Sequence, residues 1–142
     1  MPSEIALVKI LSDSASVATS LSGSVGLTAK VYMGQLPQGT QYPAISVTRT
    51  NTDPSDVQDG VSKLDTETVI VSYKCDNYVQ GLNSSIAGRA ALDGVQNTSY
   101  VVGVQTIVIE QIWFVTEKYY VEEHTDKISE VFEQEFKIRV KR

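Results

Sequence analysis

Apolar residues recur at three- and four-residue spacing near the start of the chain, at Ile5, Val8, Leu11 and Ala15, with Leu7 and Ile10 widening the stripe. That period predicts a helix, and Ser3 can cap it. The pattern fades from Ser14 to Ser20, and Gly23 and Gly26 punctuate the next stretch. Val31-Tyr32-Met33 has strand character, and Gly34 to Pro43 reads as an extended loop. The period then changes to two. Ile45 and Val47 alternate with Ser46, Thr48 and Thr50, the signature of a half-buried strand.

Asn51 to Leu64 holds Pro54, Gly60 and three aspartates and reads as a long loop. Alternation resumes from Thr66 to Asp76, with Val69, Val71, Tyr73 and Cys75 opposite Thr68, Ile70, Ser72 and Lys74. Asp76 or Asn77 can then cap a second helix, which carries Val79, Leu82, Ile86 and Ala90 at helical spacing. Gly81 and Gly88 weaken it by roughly 1 kcal/mol each relative to alanine, unless close packing requires them. Gly94 to Ser99 reads as a loop. Thr106 to Val121 is β-branched and aromatic. In the last strand Phe132, Phe136, Ile138 and Val140 share a face with Gln134, and Glu133, Glu135, Lys137, Arg139 and Lys141 take the other. Glu117 to Lys127 should join these two strands as a long hairpin.

The predicted fold is therefore α+β, in the order α-β-β-β-α-β-β. A mixed or antiparallel sheet of about five strands is flanked by two helices. At 142 residues, 42% hydrophobic and 20% charged, a single domain spanning 1–142 is expected.

Charge narrows the function classes. A formal net charge of −5 and a pI near 4.8 disfavour sequence-independent adhesion to nucleic acid and docking on anionic lipid. Met1 to Glu4 lacks the basic start of a signal peptide, and Lys9, Ser12 and Asp13 interrupt the first apolar stretch, so no membrane span is expected.

Candidate chemistry is sparse. The one histidine, His124, stands in Glu122-Glu123-His124-Thr125-Asp126, where adjacent side chains on an extended tip diverge instead of converging on a metal. Cys75, the one cysteine, shares a face with Val71 and Tyr73 and reads as core, while Lys74 points the other way and cannot activate it. Asp53, Asp56 and Asp59 stand three apart, whereas a calcium loop alternates its ligands every second residue and closes with a glutamate missing here. No nucleotide-binding glycine motif or serine elbow occurs. No catalytic residue, metal or cofactor is expected.

The surface is more informative. Acids crowd Glu110 to Glu135, and the last six residues carry Lys137, Arg139, Lys141 and Arg142. Two accounts fit: a solvated face with cross-strand ion pairs, or a self-complementary edge whose negative end meets the positive end of the next copy. Ile112-Trp113-Phe114-Val115 puts large apolar groups on both faces of one strand. A sheet covered on one side would leave half of them for a partner.

The order of elements also resembles a known family. The first helix is followed by Val31-Tyr32-Met33, then Leu36-Pro37-Gln38-Gly39-Thr40-Gln41-Tyr42-Pro43-Ala44-Ile45-Ser46-Val47, and later a strand ending Val71-Ser72-Tyr73-Lys74-Cys75-Asp76 that runs into a helix. This layout resembles the tail completion, or tail-to-head joining, proteins of long-tailed bacteriophages, which are related in fold to tail terminators; the region Glu117 to Lys127 departs from it. The resemblance implies a structural protein made in the host cytoplasm and located in the virion neck. There it would form a homo-oligomeric ring, a hexamer, between the tail tube protein and the head-tail connector or head completion protein. DNA would pass through without specific binding. Asp53, Asp56 and Asp59 are then candidate lumen-facing charges, since acidic loops repel phosphate. Ile112, Trp113, Phe114, Glu133, Glu135, Lys137, Arg139 and Lys141 are candidate interface residues. Another tube, neck or baseplate component, or a small-molecule or peptide-binding module with a pocket near Trp113, are the alternatives.

Overall fold

The alternating segments pair into one sheet of six strands, ordered β1-β2-β3-β6-β5-β4. In this computed structural model, residues 3–21, 30–37, 42–57, 60–123 and 128–141 are described. The strands are β1 (Val31–Met33), β2 (Ala44–Val57), β3 (Gly60–Cys75), β4 (Gln96–Val102), β5 (Gln105–Glu123) and β6 (Ile128–Lys141). Only β1 and β2 run parallel; the other neighbours are antiparallel. Helices α1 (Ser3–Asp13), α2 (Ala15–Ser20) and α3 (Tyr78–Leu92) complete the fold. The mixed α+β class is as the pattern predicts, with one strand and one short helix more.

Each difference has a local cause. The first helical stretch divides at Ser14, whose hydroxyl accepts from the Val17 N–H and starts α2. Asn51 to Leu64 is not a loop, because β2 and β3 continue as a hairpin to the pair Val57 and Gly60. Pro54 is tolerated there because β1 pairs only with Ile45 to Val47, which leaves the rest of β2 an outer strand. Gln96 to Val102 forms an edge strand despite its polar start, held by β5 alone. At the last hairpin, β5 runs to Glu123 and β6 begins at Ile128, so most of the predicted connection is strand.

The core lies between the helices and one sheet face. Ile45, Val47, Val69, Val71, Tyr73, Phe132, Phe136, Ile138 and Val140 meet Leu7, Leu11, Val17, Leu21 and Leu92. A chain of paired polar groups threads this layer. Buried Tyr73 donates to Gln134 Oε1 at 2.9 Å, and Gln134 Nε2 donates to the Ser85 carbonyl at 2.9 Å and to Glu117 at 3.3 Å. Burial, then the Glu117 charge, holds the Tyr73 phenol well above its usual range. A second buried group, Glu67, ties the sheet to α1. Its Oε1 accepts the Ser3 backbone N–H at 2.6 Å, and its Oε2 accepts from Arg49 at 2.7 Å and from Thr52 at 3.3 Å.

Cys75 is fully buried, and burial followed by the Asp76 charge pushes its thiol up to about 11. At mildly alkaline pH the folded protein should resist iodoacetamide and the denatured protein should react to completion. Rapid labelling of native protein, read by intact mass, would contradict this placement.

Helix α3 corrects the simple reading of its apolar positions. Asn77 caps it, accepting from the N–H groups of Val79 and Gln80 at 2.8 and 3.3 Å. The face turned to the sheet is made of Gly81, Ser84, Ser85, Gly88 and Leu92. Val79, Leu82, Ile86 and Ala90 face outward instead. The reason is steric. A Cβ at Gly81 would lie 2.7 Å from the Phe132 ring, and one at Gly88 only 1.9 Å from the Tyr73 hydroxyl. The sheet supplies the bulk, so the helix must supply the small side.

Candidate assembly surfaces

The sheet face away from the helices carries the charged positions of β6. Strand registers set Lys137 between Thr68 and Trp113, Glu135 between Ile70 and Thr116, and Glu133 between Ser72 and Lys118. Opposed residues in an antiparallel sheet point to the same side, so these form one surface. A small cavity of about 110 Å³ opens among Ile70, Thr116, Lys118, Glu133 and Glu135.

Cross-strand partners neutralise part of each block. Lys118 lies 3.4 Å from Glu133 in the acidic half, and Arg139 lies 3.8 Å from Glu110 in the basic half. Such exposed pairs contribute on the order of 0.2–1 kcal/mol. Tyr120 donates to Glu133 at 2.7 Å, and burial together with that carboxylate raises its phenol above the ordinary range. Glu130 accepts from Tyr119, raising that phenol too, and Lys74 lies 3.6 Å from Glu122. The two-block arrangement survives this pairing. Glu122, Glu123, Glu130, Glu133 and Glu135 occupy the end where β6 begins, and Lys137, Arg139 and Lys141 the end where it stops.

The aromatic run is divided by a bulge between Phe114 and Thr116. Ile112 is fully buried in the core and is thereby removed from the candidate interface residues: it faces the helices, where no partner can reach it. Phe114 is half-buried, with the Arg89 guanidinium 3.7 Å above its ring and Phe136 edge-on at 5.7 Å. That covers it largely from within. Trp113, beside Lys137, stays partly exposed on the open face, and Val115 at the bulge is 42% exposed.

Among the three candidate aspartates, Asp53 is exposed on β2 and accepts from Asn51 at 3.0 Å. Asp56 lies on the same strand, opposite Val61. Asp59 falls outside the described residues, as does His124. The strand registers place Asp53 level with Arg139, through Thr66, and Asp56 on the arm that β2 and β3 extend beyond Lys141, the last residue of β6. Among the described residues no group of three or more histidine, cysteine or acidic side chains is arranged to hold a metal.

One surface went unread in the sequence. The outward face of α3 exposes Tyr78, Val79, Leu82 and Ile86, with Val79 and Ile86 near 60%. Beside it an open groove of about 650 Å³ runs between α2 and α3, lined by Ser16, Thr19, Ser20, Asn77, Val79, Gln80, Asn83 and Ala87. The signal was the small-residue spacing of Gly81, Ser84, Ser85 and Gly88, which competes with the apolar stripe for the inner face.

Among solved structures, a chain from the "virion of native gene transfer agent (GTA) particle" superposes with a TM-score of 0.68. The likeness is one of fold. Identity is 18%, over 98% of this chain and 94% of that one. No protein-family model matches the sequence, and no curated protein is similar to it.

Proposed function

We propose that this chain is a structural protein of a phage-like virion that forms a ring, a hexamer, capping the tail tube and joining it to the head connector. The observation that carries this reading is the near end-to-end likeness of fold to a chain of a gene transfer agent virion. The element order noted in the sequence supports the finer assignment to the neck. The two-block charge pattern supports head-to-tail contact between copies, since a heterologous contact closes into a ring when its rotation allows. Trp113, with Glu135 and Lys137 around it, is the anchor for a neighbouring copy, the tube or the connector.

On this reading the acidic charge of Asp53, Asp56 and Asp59 keeps DNA from adhering as it passes. The protein acts by shape and repulsion, without chemistry. Native mass spectrometry of the purified protein mixed with tail tubes tests the reading. Closed rings bound at tube ends, with further elongation stopped, are expected. Rings that stack without limit would instead mark a tube component. Reversing the three aspartates should slow DNA passage and leave ring assembly intact; unchanged infectivity would remove them from the channel.

A further inference from the structure

The two edges of the sheet are built differently. Among the described strands β4 pairs only with β5, and β1, on the far side, pairs only with β2. An open strand edge offers free N–H and C=O groups to any extended chain, so a stable fold either guards it or uses it.

The β1 side is guarded. Strand β1 spans only Val31–Met33, and past Val47 the edge passes to β2. There a register shift between Arg49 and Asn51 breaks the regular ladder. Ile45 donates its N–H to Lys30 and Val47 accepts from Gly34, so alternate residues of β2 turn their backbone outward. Strand β3 keeps register with β6 from Leu64 to Cys75. After the shift the outward positions are therefore Thr52 and Pro54, opposite Glu67 and Asp65. Proline has no N–H to give.

Strand β4 carries none of these devices. Residues 94–109 contain no charged side chain and no proline, and the register with β5 is unshifted from Thr98 to Val102. The strand ends in the turn Gly103-Val104, whose leading glycine takes a φ of 62°. Such a hairpin closes on a hydrogen-bonded pair, here Val102 with Gln105. Alternation then points the backbones of Tyr100 and Thr98 at β5 and those of Ser99 and Val101 outward. Both outward residues are exposed. Asn97, with a φ of 46°, leaves extended backbone and sets the lower limit of this edge.

We infer that β4 of one copy pairs antiparallel with β4 of a second copy about a two-fold axis at Tyr100, so that one sheet runs through both. Ser99 of each copy exchanges both main-chain bonds with Val101 of the other. Symmetry and charge select a second copy as the occupant. A two-fold contact sets a strand against itself, so a charged edge would oppose like charges, and this edge has none. The other edge that a second copy brings is the guarded one. The contact is isologous, unlike the head-to-tail contact of the ring, and does not rest on the ring reading. It closes at two copies and covers the open edge while the chain is free.

Sedimentation of the purified chain over a concentration series, without tail tubes, tests it. A two-copy species that grows with concentration is expected. Ser99→Pro removes an outward N–H at an edge where proline is tolerated, so the variant should melt close to the parent and sediment as a monomer. Val101→Lys should do the same through edge charge, whereas Gln105→Lys, which adds that charge at an exposed position of β5, should leave the pair intact. Amide exchange locates the contact: Ser99 and Val101 should slow as concentration rises, and Tyr100, already bonded to β5, should not change. A parent that stays monomeric throughout, or a pair that Ser99→Pro leaves intact, would overturn the inference. Loss of tube binding in Ser99→Pro alongside a monomeric parent would overturn it too, by giving the edge to a strand of another protein.

Discussion

Gly88→Ala is expected to destabilise the fold by about 3 kcal/mol, at the upper end of ordinary overpacking. In a solvent-facing helix the same change would gain roughly 1 kcal/mol, because alanine is the better helix former. The reversal of sign comes from Tyr73. Its hydroxyl would lie 1.9 Å from the new Cβ, and the ring cannot retreat: it is fully buried and fixed to Gln134 at 2.9 Å. Either the phenol leaves Gln134 or α3 lifts from the sheet. Lifting α3 would also break the Gln134 bond to the Ser85 carbonyl. The matched control is Ala90→Gly on the exposed side of the same helix, which should cost only about 1 kcal/mol. Urea denaturation of both variants reads the contrast, and for Gly88→Ala the melting temperature should fall by roughly 10 °C. Equal losses would mean that α3 does not lie against Tyr73 as described.

The second large effect is expected at Glu67. Glu67→Ala removes the acceptor of the Ser3 N–H, of Arg49 and of Thr52 at once. Breaking a buried ion pair costs about 3–5 kcal/mol. The lower figure applies, because the Arg49 side chain is 36% exposed and can turn to water. Glu67→Gln should lose less, since its remaining carbonyl oxygen still accepts from Ser3. Hydrogen exchange should localise the damage to the first turn of α1, whose leading N–H is capped by this carboxylate. A uniform loss of protection across the sheet, with α1 no worse than β6, would refute the capping role.

Glu67 also carries a signal that is legible along the chain. It shares strand parity with Val69, Val71 and Tyr73, and Arg49 shares parity with Ile45 and Val47. Two opposite charges pointing inward on neighbouring strands announce a buried pair. Pattern alone does not reveal which residues of the adjacent helix they meet, because that contact spans 64 positions.

By itself the sequence determined much of the local structure. The change from helical to alternating period located α1, the centres of β2 and β3, the cap and body of α3, and the inner and outer faces of β6. Asn77, Val71, Phe136 and Lys137 all behave as their neighbours along the chain require. Such features depend on residues a few positions apart, so they are written in the order of the residues. Only the tertiary structure decided which side of α3 is inside. Its apolar stripe and its small-residue stripe are both valid helix faces, and the choice fell to Tyr73 and Phe132 on strands far away in sequence. The same holds for β5, where bulges after Ile109 and Phe114 re-aim the aromatic run and bury Ile112 while leaving Trp113 partly in water. Close packing between distant segments is a pairwise property of shapes, and no periodicity within one segment can contain it.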